Sequence, residues 1–267
     1  MSRALMQKQK PSHPLHRPLA VWCALTDAGH VRDTNEDAVT VDPARGVAVL
    51  ADGMGGYNAG EIASAMATEL VSSQLGQWLD QAGAAAQPHE IASAMQTCAA
   101  HANQAIFEAA STHADYEGMG TTLVVAVLHG NMLLIGHVGD SRAYRLRGGV
   151  LQQLTGDHSL LQEQLDLGLI TEEEAAFSPH RGLLTRALGV EEEASLDVQM
   201  QTVEPGDLYL LCSDGLTDML DDSDLAAALD GNAPLTAQAQ TLLDLANAQG
   251  GYDNISLILC RVPGARP

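Results

Sequence analysis

Aromatic residues are scarce in this chain: two Phe, two Trp and five Tyr among 267 residues. A core of ring stacking is therefore excluded, and packing must rest on Val, Leu, Ile, Met and the abundant Ala. Basic residues are few as well. Thirteen Lys and Arg face thirty-four Asp and Glu, a formal charge of −21, which excludes a basic face for nucleic acid or an anionic membrane. No stretch approaches the roughly 18 uninterrupted apolar residues that a membrane span needs. The four cysteines, Cys23, Cys98, Cys212 and Cys260, are widely scattered, form no CxxC pair and sit in apolar surroundings. That pattern supports neither a zinc site nor a disulfide framework, and it points to a reducing, cytoplasmic setting. The N-terminal stretch carries basic residues without an apolar core behind them, so it does not read as a secretory signal. Residues 1–18 read as a flexible tail, and 19–264 as one domain, since no linker divides them. A monomer is the default expectation.

What the chain does have is short apolar runs that end in acids. Val47–Ala51 reads as a buried strand with Asp52 at its tip. The glycines that follow can take positive φ and come close to a ligand. Val21–Thr26 and Ala38–Val41 read as earlier strands. Tyr57–Asp80 and Pro88–His113 carry apolar residues at helical spacing, with Pro88 suited to a first turn. From Thr121 the period shortens. TTLVVAVL and MLLIGHVG form a hairpin turned at His129–Gly130–Asn131, and a second hairpin turns at Gly148–Gly149. The near-continuous apolar strands of the first hairpin require both faces to be buried. Leu196–Val203, Leu208–Cys212 and Ile255–Val262 are further strands, Asp222 opens a helical region, and Pro234–Gln249 is a last helix. Sequential antiparallel strands with helices grouped between them define an α+β class.

Residues 157–189 interrupt the strands. Two short helices are expected there, the second opened by a Thr171–Glu174 capping box. A polar, irregular insertion between strands is a usual place for a lid or recognition loop.

The acids fall at corresponding places: Glu36 and Asp37 in NED, Asp52 in ADGMGG, Asp140 in VGDSR, Asp214 in CSDGL and Asp253 in GYDN. Each one singly fits a turn or a cap. If the strands lie side by side, the set gathers at one edge, where like charges raise one another's pKa until cations relieve them. Oxygen donors without His or Cys suit Mg²⁺ or Mn²⁺.

RDTNEDA, VLADGMGG, GMGTTLVVAV, HVGDSRAYRL, LTGDHSL, LLTRALG, LLCSDGLTD and GYDNIS occur in this order over residues about 27–262. The ordered set resembles the metal-dependent, protein phosphatase 2C-like family in its bacterial form, over nearly the whole chain except the N-terminal tail. The resemblance implies a four-layer α-β-β-α sandwich, with two central antiparallel sheets flanked by helix pairs and a flap at 157–189. It implies that Asp52 bridges two metal ions, that Gly53 offers its carbonyl oxygen, and that Asp214 and Asp253 complete the first ion's shell. Glu36 and Asp37 resemble acids that act partly through water. Asp140, with Asp214, matches the site of a third, weaker ion in bacterial members. Arg32 matches the arginine that grips substrate phosphate, a task suited to a forked guanidinium. Paired metals lower the pKa of a water and clamp an in-line displacement, so no Cys or Ser nucleophile is needed. Cys212 also lacks a phosphate-cradling loop.

The implied activity is hydrolysis of phosphoserine and phosphothreonine in proteins, opposing a bacterial Ser/Thr kinase. Alternatives are an inactive member that binds phosphoproteins, a phosphatase of small phosphoesters, and an acidic calcium-binding structural protein, whose regular Asp/Gly repeats are not visible. One departure concerns Met54. Some eukaryotic relatives have histidine there as a proposed general acid, and methionine cannot donate a proton. A metal-bound water is then the better candidate for the acid; His158 and His180 are weaker ones, better read as solvent-facing or capping. Tyr57 and Ser178 stand where bacterial relatives often carry histidine. Arg181 and Arg186, in the flap, could meet acidic or phosphorylated substrate, and Arg186 could equally be structural.

Overall fold

The computed structural model describes residues 20–55, 59–176, 178, 180, 182–231 and 233–264. The expected tail, Tyr57 and Arg181 lie outside the described residues. The strands are β1 (Val21–Asp27), β2 (Asp37–Asp42), β3 (Val47–Met54), β4 (Gly120–Thr121), β5 (Leu123–His129), β6 (Met132–Val138), β7 (Arg142–Arg147), β8 (Val150–Gln153), β9 (Asp197–Thr202), β10 (Leu208–Cys212) and β11 (Ile255–Arg261). The helices are α1 (Ala59–Ala82), α2 (Pro88–Thr112), α3 (Leu160–Asp166), α4 (Glu172–Ala176), α5 (Asp214–Thr217), α6 (Asp222–Leu229) and α7 (Leu235–Ala248). None of the described helices is long and apolar enough to cross a membrane.

Two antiparallel sheets stack. One runs β1-β11-β10-β7-β8, the other β2-β3-β5-β6-β9 with β4 on β3. The apolar run of β5 shows why they must be covered on both sides. Leu123, Val125 and Val127 point to the helix layer of α1 and α2, beside Leu75, Met95 and Ile106. Val124, Ala126 and Leu128 point the other way, onto Tyr209, Leu211 and Ile258 of the facing sheet. This is the period-two alternation of a pleated strand with no wet face. Leu210 and Leu257 of the first sheet pack outward on Leu225, Leu242 and Ala246 of α6 and α7. The result is the α-β-β-α sandwich.

Antiparallel pairing sets the working edge. The start of β2 meets the end of β3 as Asp37 opposite Asp52. The start of β5 meets the end of β6, and in the other sheet the end of β10 meets the start of β11. Each acid-bearing end therefore falls at the same edge of the sandwich. Two hydrogen bonds tie the sheets together there. Ser213 Oγ donates to Asp37 Oδ2 (2.8 Å), and the Glu36 N–H donates to Asn254 Oδ1 (2.8 Å).

Two placements differ from the sequence reading. Asp52 is not the tip of β3. The strand continues through Gly53 and Met54 because these pair with Thr121 and Gly120 of the two-residue β4, so the backbone turn starts only at Gly55, where φ is 153°. Gly53 is needed for closeness instead, since a Cβ there would overlap the Gly60 carbonyl oxygen. Asp214 likewise stands in the first turn of the short α5 rather than at a strand end.

Candidate active site

A cleft of about 680 Å³ opens at this edge, and Arg32, Glu36, Asp52, Gly53, Asp140, Asp214 and Asp253 line it. Asp37 does not. It is buried behind the cleft, with one oxygen on Ser213 and the other, Oδ1, without a hydrogen-bond partner. Asp52 is held through its backbone. Thr122 Oγ1 accepts its N–H (3.0 Å), and the Thr121 hydroxyl donates to its carbonyl oxygen (2.8 Å). The carboxylate faces the cleft, where it shares a hydrogen bond with Asp214. Asp253 accepts a hydrogen bond from Arg32 at 2.7 Å and one from the Asn254 N–H at 2.8 Å.

The electrostatics follow from crowding. Burial, then the charges of Asp37 and Asp214, pushes Asp52 well above the usual carboxylate range. Burial, opposed by hydrogen bonds from Ser256 and Ser213, raises Asp37 to about 7. Burial and Asp214 raise Asp140 to about 7, while burial with Asp218 and Asp253 raises Asp214 to about 6. Burial raises Glu36 against the pull of Arg32. Arg32 is the one basic side chain lining the cleft among the described residues, and its side chain is 54% exposed. Several acids held together with one half-exposed cation lack countercharge. All the donors are oxygens, and Asp37 Oδ1 has no partner. These observations fit hard divalent cations.

Cys212 is no rival nucleophile. It is fully buried in β10, and burial pushes its thiol up to about 12.

The flap residues fall elsewhere. His158 is neither solvent-facing nor a cap, because its side chain is 12% exposed and its ring stacks on His137 with centroids 4.5 Å apart. Its Nδ1 accepts the Gly139 N–H (3.1 Å), and its own N–H donates to the Gly139 carbonyl. Ser159 is the cap of α3. Of the two readings of Arg186, the structure follows the structural one. Its guanidinium binds both Asp197 oxygens, at 3.0 Å each, and also donates to Ser195. His137, His158 and Asp197 bring possible ligand atoms within 4.8 Å of one another. Nearly parallel stacked rings do not converge their lone pairs on one ion, and Arg186 already supplies the cation there. His180 is exposed in the flap. The Thr171–Glu174 capping box forms as expected.

Sequence reasoning missed Asp33, Thr34, Thr122, Asp218 and Asn254 among the polar residues of the cleft, and two of these carry a readable signal. Asp218 lines the cleft four positions after Asp214, one turn further on the same helical face. Its signal was the second acid of SDGLTD. Asn254 lines it too, and its amide donates to the carbonyls of Ala28 and Thr34, fixing the loop that carries Arg32. Its signal was a polar amide wedged between a tight turn and an apolar strand.

The cleft sits at one edge of a two-sheet sandwich between helix layers and sets crowded carboxylates against one arginine. The model of the protein phosphatase 2C family matches residues 28–249. The serine/threonine phosphatase stp of Listeria innocua is 38% identical over 237 residues, 88% of this chain and 92% of that protein. The structure of Stp1 from Staphylococcus aureus superposes with a TM-score of 0.86 at 31% identity, covering 96% of this chain and all of that one. The catalytic domain of PstP, solved in complex with two manganese ions, gives a TM-score of 0.80 at 36% identity, over 91% of this chain and 98% of that one. The chain belongs to the protein phosphatase 2C family in its bacterial form, as a metal-dependent protein serine/threonine phosphatase.

Proposed function

We propose that this enzyme hydrolyses phosphoserine and phosphothreonine monoesters in proteins at a centre for two divalent cations, opposing a bacterial Ser/Thr kinase in the cytoplasm. The single observation that carries the reading is the meeting of Glu36, Asp52, Asp140, Asp214 and Asp253 in one cleft with Arg32 at its mouth. In this reading Asp52, Asp214 and Asp253, with the Gly53 carbonyl oxygen, would hold the two ions, Glu36 and Asp37 would assist through water, and Asp140 with Asp214 would hold a third, weaker ion. The unpartnered Oδ1 of Asp37 supports a water-mediated role. Mn²⁺ or Mg²⁺ held there would lower the pKa of a water and neutralise phosphoryl oxygens.

This chain's own residues do the rest. Arg32 gives Asp253 one N–H and keeps further donors for the phosphate, which it binds and orients at the mouth. Thr121 and Thr122 fix the backbone that aims Asp52. A water gives up a proton to solvent as its oxygen bonds to phosphorus and the bond to the serine or threonine oxygen breaks. That oxygen takes its proton from solvent, because Met54 lines the cleft without one to give and His158 is fastened to Gly139. The cytoplasmic assignment rests on four free cysteines.

Chelation tests the reading. EDTA should abolish turnover of a phosphothreonine peptide, and Mn²⁺ should restore it. Turnover that survived chelation would sink the proposal. A phosphoproteome comparison of wild-type and Asp52→Asn cells would then identify substrates and the opposing kinase.

A further inference from the structure

Beside the catalytic cleft lies a second hollow of about 420 Å³, on the flap side. The two share Met54, Gly182 and Leu184, so a chain seated at the cleft passes the mouth of the hollow. Its lining is largely apolar: Met54, Leu184, Ala187, Val190, which is itself half exposed, and Ala194. Its rim is acidic. Glu191 and Glu193 line it, and both residues are exposed. Arg186 also lines it, but that guanidinium is committed to Asp197 and Ser195 and does not neutralise the rim.

The wall that carries the two glutamates is held in place. Asn103, 1% exposed, donates to the carbonyls of Glu191 and Glu192 at 3.0 Å each and accepts the Gly189 N–H at 2.7 Å. The rim is thus fixed to α2, while its carboxylates project freely.

We infer that this hollow is a specificity pocket for a lysine or arginine side chain next to the phosphorylated residue of a protein substrate. The inference rests on the phosphatase reading and deepens it by naming the sequence class of the substrate. The chemistry is that of a snorkelling cation. The methylene stem lies along Met54, Leu184 and Val190, and the charged head reaches Glu191 and Glu193. A leucine would lie on the apolar lining and leave the rim unused. A glutamate would meet two like charges. The overall charge of −21 favours the same class, because it steers basic peptides toward the enzyme. Chain-wide steering acts equally at every peptide position, whereas the hollow predicts a position-dependent preference.

The test measures affinity and turnover separately. Non-hydrolysable phosphonate analogues of one phosphothreonine peptide, with Lys, Leu, Ala or Glu at each position flanking the phosphoresidue, are titrated onto the full chain by fluorescence anisotropy. At one flanking position Lys should bind about tenfold more tightly than Ala, and Glu more weakly than Ala. Glu191→Gln/Glu193→Gln should level that series, and Glu191→Lys/Glu193→Lys should invert it. A Lys preference equal at all positions, a Leu peptide matching Lys, or a preference that persists in the double variants would each overturn the pocket. Wild-type turnover of p-nitrophenyl phosphate, which has no side chain for the hollow, tests the phosphatase reading on its own.

Discussion

Strand β10 has an aspartate near each end, and the two ends behave in opposite ways. Asp207, just before the strand, is 1% exposed. Burial pushes its pKa up, yet the Arg147 fork, the Glu204 N–H and the Tyr209 hydroxyl outweigh it and hold the carboxyl below the usual range. Arg147 reaches it with two donors at 2.7 Å, and Tyr209 Oη donates at 2.9 Å. Asp214, just after the strand, has acids for neighbours and is raised to about 6. One end satisfies its charge with protein groups and is complete. The other withholds them, so its charge waits for something that arrives from solution. A buried pair stabilises only when its partners are all present, and a functional site is where a chain leaves that condition open.

The comparison can be broken at either end. The largest effect belongs to the open end. Asp52→Asn should lower kcat for a phosphopeptide by about 10³-fold, roughly 4 kcal/mol of barrier. Metal-free stability should hold or rise, since a crowded charge is removed. A variant within a few-fold of wild type at saturating Mn²⁺ would remove Asp52 from the centre.

At the closed end the ranking reverses. Arg147→Ala leaves Asp207 buried without its fork and should cost about 3 kcal/mol in urea unfolding. The folded fraction should keep its turnover, measured per folded molecule. Unfolding at the wild-type midpoint would show that the pair contributes nothing.

Acidity distinguishes the ends next. Asp37 and Asp140 are raised to about 7 and Asp214 to about 6. A carboxyl whose folded pKa lies above its unfolded value favours the fold only while protonated. The metal-free protein therefore loses stability as pH rises from about 4 through about 7. Asp207, shifted downward, loses its contribution only as pH falls through its folded pKa, on the other side of that window. Melting temperatures in EDTA should fall from pH 5 to pH 8, while the gain on adding Mn²⁺ should grow. A metal-free protein more stable at pH 8 would contradict the crowding.

The smallest effect is at the mouth of the cleft. Arg32→Lys keeps a charge but loses the fork, and should raise KM about tenfold with a smaller change in kcat.

Much of the open end was legible in the sequence because its acids border apolar runs whose period is visible. Pairing such runs antiparallel brings alternate ends to one edge, so Asp52, Asp140, Asp214 and Asp253 could be grouped before any coordinates. The depth of each could not. Asp37 falls behind the cleft because it pairs directly opposite Asp52 and meets Ser213 of the other sheet, a contact 176 residues away. Asp52 lies inside its strand because β4, too short to leave a periodic signal, extends the pairing. His158 resembled a surface residue because nothing local announces His137 as its stacking partner. The closed end was invisible for the same reason. Glu204–Pro205–Gly206–Asp207 reads as an ordinary turn, and only the fold delivers Arg147 to it.

The central claim is that the crowded carboxylates await divalent cations, and calorimetric titration of the metal-free protein with Mn²⁺ at pH 6.5 tests it most directly. Performed in two buffers of different ionisation enthalpy, it reports both binding and proton release. The account predicts two ions bound with net release of protons, because acids raised to about 6 and 7 must ionise as the ions enter. Binding should be lost in Asp52→Asn. No binding to the wild type, or binding that releases no protons and survives Asp52→Asn, would contradict it.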